Sequence, residues 1–325
     1  MPLEVEHRGC RSLAAEDIRI ALVNNMPDSA LEATEQQFAA LLRAAAGSRT
    51  VRLRFSSLPE IPRGLPARLR IDSAYWPLDE LLSESADALI VTGTEPRTVV
   101  LEEESYWERL VRLIAWAESH TASSIWSCLA AHAVAYALHG VRRRRLPEKR
   151  FGVFEYRILA GVPLFQGLRA PLLTPHSRWN ELPLAELESA GFDVWSVSEE
   201  TGADLFVHGG RSLFVCFQGH PEYESLTLLK EYRRDVGRFL SGEHADWPTA
   251  PYGYFSPASL DALATFRVRV SSTRDPALLA EFPMAELTAQ IRAEWRPAAV
   301  RVYQNWLSFL AAAKERTPRK HLAPL

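Results

Sequence analysis

Only three cysteines, Cys10, Cys128 and Cys216, occur in 325 residues, too few and too far apart for a disulfide framework. Each is therefore either a small buried hydrophobe or a reactive thiol. No CxxC or HExxH spacing offers metal ligands, no GxxxxGK(S/T) loop offers a phosphate cradle, and no GxGxxG offers a dinucleotide site. Chemistry in this chain falls to side chains. Long apolar runs are missing as well: none approaches the roughly 18 to 20 residues that span a bilayer. The opening MPLEVEHRGCRSLAAEDIR places charges where a signal peptide has its apolar stretch. A cytoplasmic location without a membrane partner is expected. Nor is there an excess of positive charge. Lys+Arg number 37 against 40 Asp+Glu, a net charge of −3, which gives no field for a phosphate backbone. Nucleic acid is not an expected partner.

What is present is a folded-protein composition, 47% hydrophobic and 24% charged. The length suits about two domains, or one large domain with an extension. Short apolar runs at Ile18 to Asn25, Val51 to Leu58, Ala88 to Thr92 and Ser123 to Ser127 read as strands. Helical repeats at Thr34 to Ala46, Glu104 to Ser119 and from Leu129 to Gly140 alternate with them, as in a mainly parallel central sheet flanked by helices. The fold class is α/β. Further strands are expected at Phe151 to Ile158, Leu172 to Thr174, Asp193 to Val197, Asp204 to His208 and Ser212 to Phe217, as hairpins or an antiparallel edge on the same sheet. Glu224 to Leu240 reads as a helix. Pro257 to Thr273 is without clear pattern. Asp275 to Ala313 reads as helix in two pieces divided near Pro297, and the last dozen residues as a frayed tail.

Cys128 stands where an apolar strand stops and a small-residue helix begins. Its sulfur is expected at the carboxyl end of a strand, where open α/β sheets bind ligands. The helix N-terminus favours a thiolate and can hold an oxyanion. Taken alone, the position suits a buried small residue equally well. A second constellation, Gln218-Gly219-His220-Pro221-Glu222-Tyr223, follows the apolar run Leu213 to Phe217. Gly before and Pro after His220 predict a sharp turn at a strand end, with Glu222 beside the imidazole to fix its tautomer. The pair of strand ends suggests a Cys128–His220–Glu222 triad.

Several motifs resemble one family: TGTEP (Thr92 to Pro96) with Tyr106-Trp107, the strand ending in Cys128, GVFEY (Gly152 to Tyr156), PHSR (Pro175 to Arg178), GHPEYE (Gly219 to Glu224), EYRRD (Glu231 to Asp235), YxYF (Tyr252 to Phe255), and VNNMP (Val23 to Pro27) before Thr34-Glu35-Gln36-Gln37-Phe38. Their order and spacing are similar to the homoserine O-succinyltransferase family, with its class I glutamine amidotransferase-like fold. The resemblance runs from about residue 18 to Asn305. It implies one acyltransferase domain over residues 1–255 and a helical extension over 256–325 that packs on it. It also implies acyl transfer in two steps within methionine biosynthesis. Cys128 takes an acyl group from acyl-CoA as a thioester, with His220 as base and Glu222 orienting it, and the group passes to the hydroxyl of homoserine. Backbone N–H groups of Leu129 and Thr94 are the implied oxyanion donors. Arg234 is implied to pair with the amino acid's carboxylate, and His176, Ser177, Arg178 and Glu155 to line the acceptor pocket. Arg234 also suits a surface ion pair and Glu155 a solvated carboxylate. No cofactor is expected to be permanently bound; succinyl-CoA or acetyl-CoA is the co-substrate, homoserine the other partner, and a homodimer is compatible with the resemblance.

The departures from the family pattern bear on substrate. A Lys pair usual after MP is replaced by Asp28 and Ser29, a Trp after the nucleophile by Leu129, and a Gln four residues past it by His132. Arg97 stands where Gly or Glu is common, at a position associated with donor choice. A cation there suits the free carboxylate of a succinyl group, or else simply faces solvent. His132 faces the cleft or is a core histidine satisfied by a backbone carbonyl. The Arg142 to Arg145 run is a solvated loop or a contact for CoA phosphates. An acetyl donor or shifted acceptor, a glutamine amidotransferase or amidase, and a non-catalytic amino-acid-binding relative remain the competing readings.

Overall fold

Alternation along the strand of Ile18–Val23 decides the layering. Ile18, Ile20 and Leu22 join one hydrophobic core, while Ala21 and Val23 join another. Such a strand is buried on both faces and needs helices above and below. The computed structural model describes residues 3–6, 17–84 and 86–316; Cys10 and all but the first few residues of the expected tail lie outside them. In chain order the elements are β1 (Leu3–Val5), β2 (Ile18–Val23), α1 (Asp28–Ala46), β3 (Val51–Ser56), α2 (Leu65–Ala74), α3 (Leu78–Ser83), β4 (Ala88–Val91), α4 (Trp107–His120), β5 (Ser123–Ser127) and α5 (Leu129–His139). There follow β6 (Arg144–Ile158), β7 (Leu172–Glu181), α6 (Leu184–Ser189), β8 (Asp193–Val194), β9 (Ser196–Ser198), β10 (Gly202–Ala203), β11 (Leu205–Gly209), β12 (Leu213–Phe217), α7 (Thr227–Leu240), α8 (Pro257–Val270), α9 (Met284–Gln290) and α10 (Arg296–Arg316).

The main sheet has the order β1-β3-β2-β4-β5-β12-β11-β8. Its pairings from β1 to β12 are parallel, and β11 and β8 complete it as an antiparallel edge. The other expected strands do not extend this edge. β6 and β7 pair with each other, and with β9 and β10 they make a separate four-stranded sheet. Periodicity marks a strand but does not name its partner, so the split was not readable from the pattern.

Pro27 precedes α1, which starts at Asp28, earlier than the periodic stretch suggests; the acidic Asp28 suits the helix N-terminus. Helices α2 and α3 escape the pattern because α2 buries only Ala67 and α3 is six residues long. The unassigned stretch from Pro257 is α8. Ser256 Oγ accepts the Ser259 N–H at 3.1 Å and Pro257 occupies the first turn. Pro297 likewise sits in the first turn of α10. Val302, Tyr303, Trp306, Leu307 and Leu310 of α10 pack with Leu31, Phe38, Leu41 and Leu42 of α1 in one core, and Trp306 Nε1 donates to Ser123 Oγ of β5 at 2.9 Å. Helices α7, α8 and α9 share a third core with Phe151 and Val153 of β6. No helix among the described residues is long and apolar enough to cross a membrane.

Candidate active site

Neighbouring parallel strands bring together two segments distant in sequence. β5 and β12 run side by side with Ser127 opposite Phe217, so Cys128 and Gln218 leave the same edge of the sheet together. The Cys128 N–H donates to Phe217 O at 2.8 Å, which ties the two strand ends. Cys128 then turns the chain into α5 at φ 52°, ψ −114°. That is a left-handed conformation costing a non-glycine residue on the order of 1–3 kcal/mol. The turn holds the partly exposed sulfur at the strand end beside the unpaired N–H groups of the first turn of α5. Gly93 permits this packing, since a Cβ there would lie 2.9 Å from Leu129 N. The loop carrying Thr94 therefore runs against the start of α5, on the side of the Leu129 N–H.

His220 follows from β12 through Gly219, where a Cβ would meet Thr174 Cγ2 at 2.5 Å, His176 Nε2 at 2.8 Å and Asp204 Oδ1 at 2.9 Å. Only glycine fits so close an approach. The His220 N–H donates to Pro175 O at 2.8 Å, and the imidazole stacks on Tyr223 with 4.4 Å between ring centroids. Its Nδ1 lies 2.8 Å from Glu222 Oε1, and the Cys128 thiol acts on the same ring. Burial opposes charge on this imidazole, but Glu222 and Cys128 together outweigh it and hold its pKa well above 6.5. Ser127 Oγ donates to Glu222 Oε1 at 3.4 Å. Trp295 Nε1 and Arg296 Nη1 donate to the carbonyls of Tyr223 and Glu222, so the loop into α10 braces the turn.

A polar cluster adjoins this centre on the side of α7. Tyr223 Oη donates to Glu231 Oε1 at 2.6 Å and Ser177 Oγ to Glu231 Oε2 at 2.5 Å. Lys149 Nζ lies 3.5 Å from Glu231 and 3.3 Å from Asp235. Half-exposed Arg234 pairs with Asp235 at 2.8 Å and Glu231 at 3.8 Å. Arg234 and Ser177 thus share one acid-and-base cluster next to His220. Lys149 and Glu231 belong to it too, although sequence reasoning gave neither a role; their signal was position alone, just ahead of GVFEY and at the head of EYRRD.

His176 and Arg178 require a correction, because neither lines an open acceptor pocket. Their side chains alternate inward on β7 and are buried. Arg178 Nε donates to His176 Nδ1 at 3.1 Å, leaving His176 Nε2 to donate to Tyr156 Oη at 2.8 Å. Burial, with Arg178 and His220 nearby, pushes His176 well below 6.5. Next to it, burial raises the Asp204 carboxyl to about 6, against the Gly219 N–H that donates to its Oδ1 at 2.8 Å. This network is the floor under the Gly219–His220 turn. Glu155 also moves. It points opposite to Phe154 and Tyr156 on β6, into a groove of about 1480 Å³ with Arg157, Tyr252 and Arg292, whose lining includes none of the triad.

Arg97 is exposed, and its loop is shaped by Glu104 Oε1, which accepts the N–H groups of Arg97 at 2.7 Å and Thr98 at 2.9 Å. Asp28 Oδ2 accepts the Gly64 N–H at 2.7 Å. His132 is buried, and its partner is the side-chain Oε1 of Gln218 at 3.2 Å rather than a backbone carbonyl. Burial lowers it to about 3. The arginine run divides: Arg142 and Arg145 are exposed over the rings of Tyr136 and Trp179, and Arg144 pairs with Glu186, whereas Arg143 turns inward. Cys216 is buried in the β12 core, where desolvation holds its thiol well above 9.0.

The arrangement is a thiol, an imidazole and a carboxylate in sequence at a sheet edge, suited to nucleophilic acyl chemistry. A family model described as homoserine O-succinyltransferase matches residues 5–317. The chain is 46% identical over 302 residues to a protein named homoserine O-succinyltransferase from Rhodopseudomonas palustris, covering 93% of this chain and 91% of that one. To a protein of the same name from Bradyrhizobium japonicum it is 43% identical over 296 residues, with 91% and 90% covered. Among solved structures it is similar to a glutamine amido transferase from Methylobacillus flagellatus, with a TM-score of 0.53 and 15% identity over 95% of this chain and 99% of that one. At that identity the likeness concerns the fold, which is class I glutamine amidotransferase-like.

Proposed function

The chain belongs to the homoserine O-succinyltransferase family, and from that premise we propose that Cys128, His220 and Glu222 carry a succinyl group from succinyl-CoA to homoserine. The observation that supports this most is the meeting of two strand ends, which sets Cys128 beside the turn where Glu222 Oε1 holds His220 Nδ1 at 2.8 Å. His220 takes the proton from Cys128, and the thiolate attacks the thioester carbonyl of succinyl-CoA. The oxyanion of the tetrahedral intermediate is met by the N–H groups of Leu129 and Thr94. The intermediate collapses to a succinyl thioester on Cys128 as the CoA sulfur leaves with the proton from His220. Homoserine then attacks through its hydroxyl oxygen while His220 accepts that proton, and collapse of the second intermediate expels the Cys128 thiolate.

Glu222 keeps Nδ1 of His220 protonated and stabilises the imidazolium in both half-reactions. The cluster of Arg234, Lys149, Ser177 and Glu231 suits the charged α-amino and α-carboxylate groups of the acceptor, one sign for each. A small-molecule donor of the CoA type fits action in the cytoplasm, and the product fits methionine biosynthesis.

Purified protein assayed with succinyl-CoA and acetyl-CoA, each crossed against homoserine, serine and glutamine, tests this reading through release of the free CoA thiol. Thiol release with succinyl-CoA and homoserine that Cys128→Ala abolishes is the expected result. Ammonia released from glutamine in place of acyl transfer overturns it.

A further inference from the structure

Two side chains, one half-buried and one buried, keep buried hydrogen-bonding groups that no described residue meets. Arg143 turns in from the arginine run, and its Nη2 donates to the carbonyls of Thr98 at 3.2 Å and Val99 at 3.0 Å. Its Nε and Nη1 are buried and without a partner among the described residues. Tyr106, at the start of α4, is 3% exposed, and its hydroxyl is likewise buried and unpartnered. The charge of Arg143 acts on Tyr106 and on His132, one turn into α5, while Glu104 and Cys128 act on Arg143. The guanidinium is thus tied to the loop at Thr98 and Val99, and its charge reaches His132 and Cys128.

Buried donors left unmade are uncommon and ask for a partner. Both groups here are donors, one of them cationic, and burial pulls the guanidinium below its ordinary value. An anion would meet both needs. A carboxylate matches a guanidinium with a neighbouring hydroxyl, whereas the phosphates of CoA suit exposed arginines such as Arg142 and Arg144. A succinyl thioester carries such a carboxylate two methylenes from the carbonyl carbon that Cys128 attacks, and an acetyl thioester carries none.

We propose that Arg143, with the Tyr106 hydroxyl, receives the free carboxylate of the donor's acyl group and sets the preference for succinyl over acetyl. This inference rests on the acyl transfer assigned above. It gives to the inward-turned, half-buried Arg143 the part that the sequence suggested for exposed Arg97.

The test compares kcat/KM for succinyl-CoA and acetyl-CoA in the wild type, Arg143→Gln, Arg143→Lys, Tyr106→Phe and Arg97→Ala. Loss of a charge-assisted contact predicts a fall of about 10- to 100-fold for succinyl-CoA in Arg143→Gln, with acetyl-CoA changed by less than about threefold. Arg143→Lys keeps part of the preference, and Tyr106→Phe lowers succinyl-CoA use by roughly 3- to 10-fold. Equal falls for both donors in a folded Arg143→Gln protein overturn the inference. So does loss of the preference in Arg97→Ala alone. Should Arg143→Gln fail to fold, an unchanged donor ratio in Tyr106→Phe overturns it. Acylation of wild-type Cys128 is measured alongside: if it occurs while the Arg143 variants keep the donor preference, this inference alone falls, and if it fails, the acyl-transfer reading falls with it.

Discussion

Glu222→Gln removes a single charge from the buried relay and leaves its size nearly unchanged. In the native protein Glu222 Oε1 stands 2.8 Å from His220 Nδ1, and both side chains are buried. The carboxylate outweighs part of the desolvation that opposes the imidazolium. A hydrogen bond to a charged group contributes about 1.5–3 kcal/mol, which corresponds to a rate loss of roughly 10- to 150-fold if the whole amount is felt in the transition state. His220 should titrate lower in the variant, toward its ordinary range. The raised native value also has a consequence for stability. The contribution of His220 is fully present below the unfolded value near 6.5 and is lost as pH rises through the native value. The variant should therefore lose most stability in acid and neutral solution and least in alkaline solution. Imidazole titration by NMR, steady-state kinetics and denaturant melts at several pH values read these effects. A variant with kcat within twofold of wild type and an unmoved His220 titration would refute the reasoning.

Two further substitutions probe the floor of the site. Gly219→Ala places a methyl 2.5 Å from Thr174 Cγ2 and 2.8 Å from His176 Nε2; a loss of about 1–3 kcal/mol in urea unfolding and a kcat reduced at least about tenfold are expected, and wild-type values in both contradict the close approach. Asp204 is fully buried and raised to about 6 from 3.8, so the native protein loses up to about 3 kcal/mol of stability as pH rises through that interval. Asp204→Asn has no charge to desolvate and still accepts the Gly219 N–H. Its stability relative to wild type should be higher at about pH 8 than at about pH 4.5, and an equal difference at both would count against the buried carboxylate.

The centre of the site was legible because its signals are local. An apolar strand that stops at Cys128 before a run of alanines, and a His220 between Gly219 and Pro221, each report a strand end without knowledge of the rest. That the two ends meet follows from the parallel pairing of β5 with β12, which the sequence did not show, since it placed Ser212 to Phe217 in hairpins or at an antiparallel edge. What stayed hidden depends on which face a side chain takes. Glu155 alternates with Phe154 and Tyr156 and so leaves the site, while His176 and Arg178 alternate into the buried floor. Four consecutive arginines look alike in sequence, yet only the fold turns Arg143 inward. The second sheet was invisible for the same reason, since short strands carry no mark of their partner.

The transfer account stands on a covalent intermediate at Cys128, and rapid-quench mass spectrometry observes it directly. Wild-type protein mixed with succinyl-CoA alone should gain one succinyl group on the peptide that contains Cys128, and homoserine added afterwards should remove it as an O-succinyl ester. No adduct at any mixing time, or an adduct on another residue, would contradict the account.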